Sequence, residues 1–195
     1  MKKYSHPFLM LAFVIALAAG CASAPSKFYT LTATASGDGA SAASYAVAVG
    51  SVTVPAEVDR PQFTVTVAPN RVAIDEFNRW AEPLSDNIAR VVAADLAALL
   101  GTPRVTAATL ANFNPDYRVT VDIQKFASRP GQSAQVDAVW VVRQSAGNLT
   151  LSGRTTVTVP VTDASYDALA AAHSRALAQV SADLAAAIRS ETAPK

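Results

Sequence analysis

Between Tyr117 and Phe126 the chain sets Tyr117, Val119, Val121 and Ile123 against Arg118, Thr120, Asp122 and Gln124, the period of two expected of a strand with one buried face. Two further β-like runs follow, Ala134 to Arg143 with Trp140 inside it and Leu149 to Val159. Arg129-Pro130-Gly131 and Ala146-Gly147-Asn148 separate the three, so they predict an antiparallel meander. Two other segments repeat at helical spacing. Ile88, Val91, Val92, Leu96, Leu99 and Leu100 predict a helix that opens at Leu84, has Ser85 or Asp86 near its start, and stops at Gly101 and Pro103. Leu169, His173, Leu177, Val180, Leu184 and Ile188 form the stripe of a second helix over Tyr166 to Ile188, with Ser165 as N-cap and a frayed tail after it.

The first third of the chain is less regular. Lys27 to Thr32 reads as a strand, and the Ala/Ser/Gly-rich run Ala33 to Ser44 as a flexible linker. Tyr45 to Val54 predicts a central strand with a bulge or close approach at Gly50. Phe63, Val65 and Val67 predict a buried strand face, Pro69-Asn70 a turn, Val72 to Ile74 its hairpin return, and Val105 a short strand. Pro55 and Pro61 lack backbone donors and push Val54 and Arg60 toward extended conformations, so Asp59 and Arg60 fall on an irregular turn. These elements add up to an α/β fold: a mixed, largely antiparallel sheet covered by two long helices, in a single layered domain. Its expected bounds are residues 27–190, with a frayed tail at 191–195.

Composition agrees with one packed domain: 195 residues, 51% of them hydrophobic. The leader changes the charge picture. Lys2 and Lys3 precede twelve apolar residues, Phe8 to Ala19, too short a run to span a bilayer, and residues 1–20 therefore read as a bacterial signal peptide. Without them the chain has 14 basic and 15 acidic side chains, a formal charge of −1, which gives no electrostatic reason to expect nucleic acid.

Leu17-Ala18-Ala19-Gly20-Cys21 resembles the lipobox of bacterial lipoproteins, which implies a diacylglycerol and an N-acyl chain (palmitate) on Cys21 and a short tether over 21–26. An ordinary signal peptide cleaved near Ala22-Ser23-Ala24 is the alternative. Ala22 and Ser23 lack the Asp that holds Gram-negative lipoproteins at the inner membrane, so the expected location is the periplasmic face of the outer membrane.

Candidate chemistry is sparse. Cys21 is the sole cysteine and His173 the sole imidazole after the leader, so neither a disulfide nor a usual zinc site is expected, and no cofactor is expected beyond the acyl chains. Gly-X-X-X-X-Gly-Lys and Gly-X-Gly-X-X-Gly strings are absent, which argues against a phosphate-loop ATPase and a dinucleotide-binding fold. A hydrolase would need His173 with Ser174 or Ser165 and with Asp163 or Asp167. Neighbouring side chains on a helix diverge and no Gly-X-Ser-X-Gly elbow occurs, so an enzyme is not expected.

Three strings remain: Pro55-Ala56-Glu57-Val58-Asp59-Arg60-Pro61-Gln62, Arg79-Trp80-Ala81-Glu82-Pro83-Leu84, and Tyr166-Asp167-Ala168-Leu169 with Ala172-His173-Ser174-Arg175-Ala176-Leu177. Together they resemble the ABC-type transport auxiliary lipoprotein family, over nearly all of the chain after Cys21. The resemblance implies a three-layer-type α/β domain and an outer-membrane lipoprotein that serves a lipid-trafficking system built on mammalian-cell-entry (MCE) domain proteins and contributes to envelope integrity. The lipoprotein would dock the far end of a periplasm-spanning MCE partner. No catalytic residue is carried over.

Asp59, Arg60, Arg79, Trp80 and Glu82 are the candidate docking residues, since aromatic and Arg side chains dominate interface hot spots. Set against this, Trp80 is expected to be mostly buried, and Asp59 and Arg60 are as well suited to a structural ion pair. The Ala-rich helices leave self-association open. A lipid-binding periplasmic carrier is the alternative function.

Overall fold

The computed structural model describes residues 24–37, 39, 42–108 and 110–192. The expected signal peptide and Cys21 lie outside them. Ten elements follow in order: β1 (Lys27–Tyr29), β2 (Val47–Thr53), β3 (Gln62–Ala68), β4 (Arg71–Trp80), α1 (Leu84–Leu100), β5 (Val105–Thr106), β6 (Tyr117–Arg129), β7 (Ser133–Gln144), β8 (Thr150–Pro160) and α2 (Tyr166–Thr192).

The strands form two sheets where the sequence predicts one. The larger has the order β5-β2-β6-β7-β8, with β2 parallel to both neighbours and β6, β7 and β8 forming the antiparallel meander. The smaller has the order β1-β4-β3, with β1 parallel and β3 antiparallel to β4. Register explains the details. Tyr117, Val119, Val121 and Ile123 are buried and their alternates exposed, and the β2–β6 register shifts between Val49 and Val52, at Gly50. In β3 a shift between Thr66 and Ala68 leaves Val67 exposed, whereas Thr64 is buried and donates to the Glu57 carbonyl. β4 continues past the expected Ile74 to Trp80, because Trp80 N–H donates to the Pro61 carbonyl and β1 pairs with its last three residues.

Both helices bury their predicted stripes: Ile88, Leu96 and Leu100 on α1, and Leu169, Leu177, Val180, Leu184 and Ile188 on α2, are fully buried. Pro83 is the N-cap of α1 and makes no side-chain cap; Ser85 and Asp86 lie near the start of the helix, as expected. Pro at this boundary has no N–H to satisfy. The helix ends at Gly101, whose φ of 64° closes the last turn with N–H bonds back to it, and Arg189 of α2 donates to the Leu99 carbonyl. Ser165 caps α2 as expected, its Oγ accepting from Ala168 N–H at 3.2 Å.

The expected linker is instead strapped down at its start. Leu31 N–H donates to Asn87 Oδ1 at 2.7 Å, Thr32 N–H to Ser174 Oγ at 3.1 Å, and Thr34 and Ala35 N–H both to Asp95 Oδ1 at 2.9 Å. Asp95 also accepts from Ser181 at 3.3 Å, so one extended segment ties α1 to α2.

Trp140 is core, as the sequence suggests, and its indole lies over Gly153, its cross-strand partner. A Cβ at Gly153 would sit closer to three indole atoms than real Cβ atoms come. Gly153→Ala should therefore destabilise the domain by about 1–3 kcal/mol in urea unfolding, as overpacking does. Adding Trp140→Leu should recover part of the loss; an unchanged unfolding midpoint for Gly153→Ala alone would contradict the packing account.

Candidate functional site

The candidate residues converge on the small sheet, at the end where β1 and β4 run into α1. Pro55 starts a tight turn: its carbonyl accepts from Val58 N–H at 2.9 Å and from Asp59 N–H at 3.1 Å, and Val58 carbonyl accepts from Arg60 N–H at 2.9 Å. Val58 is buried and pins the turn, so Asp59 and Arg60 are held exposed. Opposite them, Trp80 leaves β4 and the chain turns through Ala81, Glu82 and Pro83 into Leu84. Asp59, Arg60, Pro61, Trp80, Ala81, Glu82, Pro83 and Leu84 line one solvent-facing pocket of about 310 Å³. Its lining is mainly apolar, and Asp59, Arg60 and Glu82 give it both signs of charge.

Four of the five candidate residues meet there. Arg79 does not line the pocket. It pairs with Phe28 and Gln62 and precedes Trp80 on the strand, so it faces the opposite side of the sheet; it is half-buried, with Nε lacking a partner among the described residues. No ion pair joins Asp59 to Arg60 among the described residues, which corrects that expectation: the turn that pins Val58 leaves both side chains exposed, and the backbone bonds hold it without them. Glu82 instead pairs with Arg90, which fixes one wall of the pocket to α1.

Trp80 is both core and pocket wall. Its ring is only 5% exposed, stacks on Phe63 at 4.3 Å and meets Phe126 edge-on at 6.2 Å. Phe63 in turn touches Tyr29 and Tyr166, and Phe126 stacks on His173 at 3.8 Å, so a continuous line of rings joins the small sheet to β6 and α2. Tyr166 O–H closes the line by donating to Asp75 Oδ2 at 2.8 Å; burial and that carboxylate push the phenol up to about 12. Burial pushes the Asp75 carboxyl upward, but the bonds it accepts from Tyr166, Asn78 and Phe77 outweigh this and leave it below the usual range.

His173 lies at the other end of this line, completely buried. Its Nε2 is 2.8 Å from Ser128 Oγ on β6, a partner sequence spacing gave no hint of, and Nδ1 has no partner among the described residues. Burial lowers its pKa to about 3. Ser174, the neighbour considered as nucleophile, donates to the Ala170 carbonyl and accepts from Thr32; Ser165 caps α2; Asp163 accepts from Ser165 N–H. The hydrolase constellation is therefore not assembled among the described residues: none of their carboxylates orients His173, and its side chain is fully buried. Groups of three or more metal-ligating side chains are absent among the described residues.

Sequence reasoning missed the polar clamp, Asn87, Asp95, Ser174 and Ser181. A signal was present, since Asn87 sits beside Ile88 and Asp95 beside Leu96 in an apolar stripe, where a polar residue is tolerated only with a partner.

Two solved proteins share the fold. One, described only as an uncharacterized protein, aligns with a TM-score of 0.70 at 18% identity and covers 85% of this chain and 99% of its own. The other, a Xanthomonas campestris protein assigned to family DUF330, aligns with a TM-score of 0.68 at 21% identity and covers 82% of this chain and 93% of its own. No curated protein sequence matches the chain. No helix among the described residues is long and apolar enough to cross a membrane. The sequence profile of the ABC-type transport auxiliary lipoprotein component matches residues 29–185, from β1 to the last turns of α2, and the chain belongs to that family.

Proposed function

We propose that this protein is an outer-membrane lipoprotein, acylated at Cys21, that serves an MCE-type lipid transport system as a docking adaptor rather than as an enzyme. Family membership supplies the auxiliary role in transport. The observation that supports a docking role is the pocket between the Asp59-Arg60-Pro61 turn and the Trp80 to Leu84 corner, where two strings quoted for the family resemblance meet. A mainly apolar lining with both signs of charge suits capture of a protruding apolar or aromatic side chain from a protein partner. Charge on Asp59, Arg60 and Glu82 would orient that partner.

A lipid carrier is less well supported. The space between helices and sheet is filled by Phe63, Phe126, Ile88, Leu96 and Leu177, all fully buried, and the surface pockets, about 310, 380 and 420 Å³, are toward the lower end of small-molecule sites, roughly 300–1,000 Å³.

Affinity capture of the tagged, acylated protein from detergent-solubilised envelope tests the reading. An MCE-domain protein should co-purify with the wild type and be at least about tenfold depleted with Arg60→Glu/Glu82→Arg, a loss worth about 1.4 kcal/mol of binding. Capture of no MCE-domain protein by the wild type would overturn it.

A further inference from the structure

The exposed large apolar side chains are not scattered. Phe28 (64% exposed), Val67, Val72, Ile74 and Phe77 all belong to the small sheet, and among the described residues only Leu110 lies elsewhere. β1 pairs with β4 only at Asn78–Trp80, so among the described residues the Arg71–Phe77 stretch of β4 has no strand on that side. A bare strand edge carrying this much apolar surface needs a covering or a role.

Chain direction identifies the occupant. β1 is parallel to β4, with Lys27 beside Asn78 and Tyr29 beside Trp80. The chain therefore enters β1 from the side of Phe77 and runs toward the Trp80 pocket. Cys21 is six residues before Lys27, at most about 21 Å of chain. A domain of this length is roughly 40 Å across. The strap from Leu31 to Ala35 adds no slack, because Asn87, Asp95 and Ser174 hold it. Lys27 lies beside Asn78, so an acyl anchor on Cys21 keeps the small sheet within about 21 Å of the bilayer, on the side of β4 from which the chain enters β1. Lys27 and Arg71 flank the apolar side chains and are exposed, as suits an interface with lipid headgroups; Glu76, the exposed acid of the ribbon, is held by Gln62 Nε2 at 3.2 Å.

We propose that Phe28 and the β3–β4 ribbon, through Val72, Ile74 and Phe77, rest on the lipid surface that holds the anchor, and so fix the orientation in which the pocket is presented. This rests on the anchored reading above. The test uses the full acylated protein in vesicles of phosphatidylethanolamine and phosphatidylglycerol with doxyl-labelled phosphatidylcholine as quencher. Because the only native cysteine carries the acyl chain, Ile74→Cys, Phe77→Cys or Ser152→Cys accepts a single fluorophore; Ser152 lies on the solvent face of β8.

Protein floating with the vesicles, with about twofold or greater quenching at positions 74 and 77 and none at 152, is the expected result. Flotation with all three positions equally unquenched overturns the inference while leaving the anchor intact. Energy transfer between labelled copies at 74 and 77, without lipid quenching, also overturns it and makes the ribbon a contact between copies. Failure to float overturns the anchored reading itself.

Discussion

Replacing His173 by Phe should remove most of the domain's acid sensitivity while lowering its stability at neutral pH. The wild-type ring is completely buried, and burial lowers its pKa to about 3, whereas in the unfolded chain it titrates near the ordinary value of 6.5. The unfolded state therefore binds a proton first as pH falls. Stability is fully present above about 6.5 and drops by about 1.4 kcal/mol per pH unit down to the folded value, roughly 5 kcal/mol in all. Phe keeps the stacking on Phe126 and cannot titrate, but it leaves Ser128 Oγ buried without its partner, at about 1–3 kcal/mol. Adding Ser128→Ala should recover much of that. Urea midpoints at about pH 7 and about pH 4.5 measure both effects. An unchanged difference between the two pH values in His173→Phe would mean that another group governs acid unfolding.

Asp95→Ala should destabilise the domain by about 3 kcal/mol, because it strips the acceptor from the Thr34 and Ala35 amides and from the Ser181 hydroxyl in one step. Asp95→Asn should be far milder. Burial raises the Asp95 pKa against the bonds that favour its charged form, so the folded state tolerates a neutral group there. The sign is opposite to that of His173: a raised folded pKa means the folded state holds the proton longer, and stability falls as pH rises from the usual carboxylate range through the folded value. Asn abolishes that slope. Amide exchange at Thr34 and Ala35 gives the local readout, fast in Ala and slow in Asn. Equal losses in the two variants would contradict the role of Asp95 as an acceptor for the strap.

The two helices and the meander were legible because each has one buried face, and a single buried face writes its period into the sequence: Tyr117 to Ile123 alternate in burial, and Leu169 to Ile188 fall on one stripe. The division into two sheets was not. Phe63 and Val65 look alike whichever sheet they join, and only the pairing of β1 with the far end of β4 closes the small sheet separately. The strap was hidden for another reason. Its Ala- and Ser-rich segment has little side chain of its own to pack, and the groups that order it are Asn87, Asp95 and Ser174, more than fifty positions away. At the candidate site, prolines and turn residues correctly set Asp59 and Arg60 on a fixed turn. They carried no information that Trp80, from beyond the next hairpin, would form the facing wall, nor that strand alternation would send Arg79 to the opposite side.

The central claim is that the Asp59–Leu84 pocket is where the transport partner docks. Photo-crosslinking in intact cells, with a photoreactive residue at Arg60, Glu82 or Ser152, tests it most directly. The account predicts adducts with an MCE-domain protein from Arg60 and Glu82 and none from Ser152. Adducts only with other copies of this protein, or an MCE-domain adduct from Ser152 with Arg60 and Glu82 silent, would contradict it.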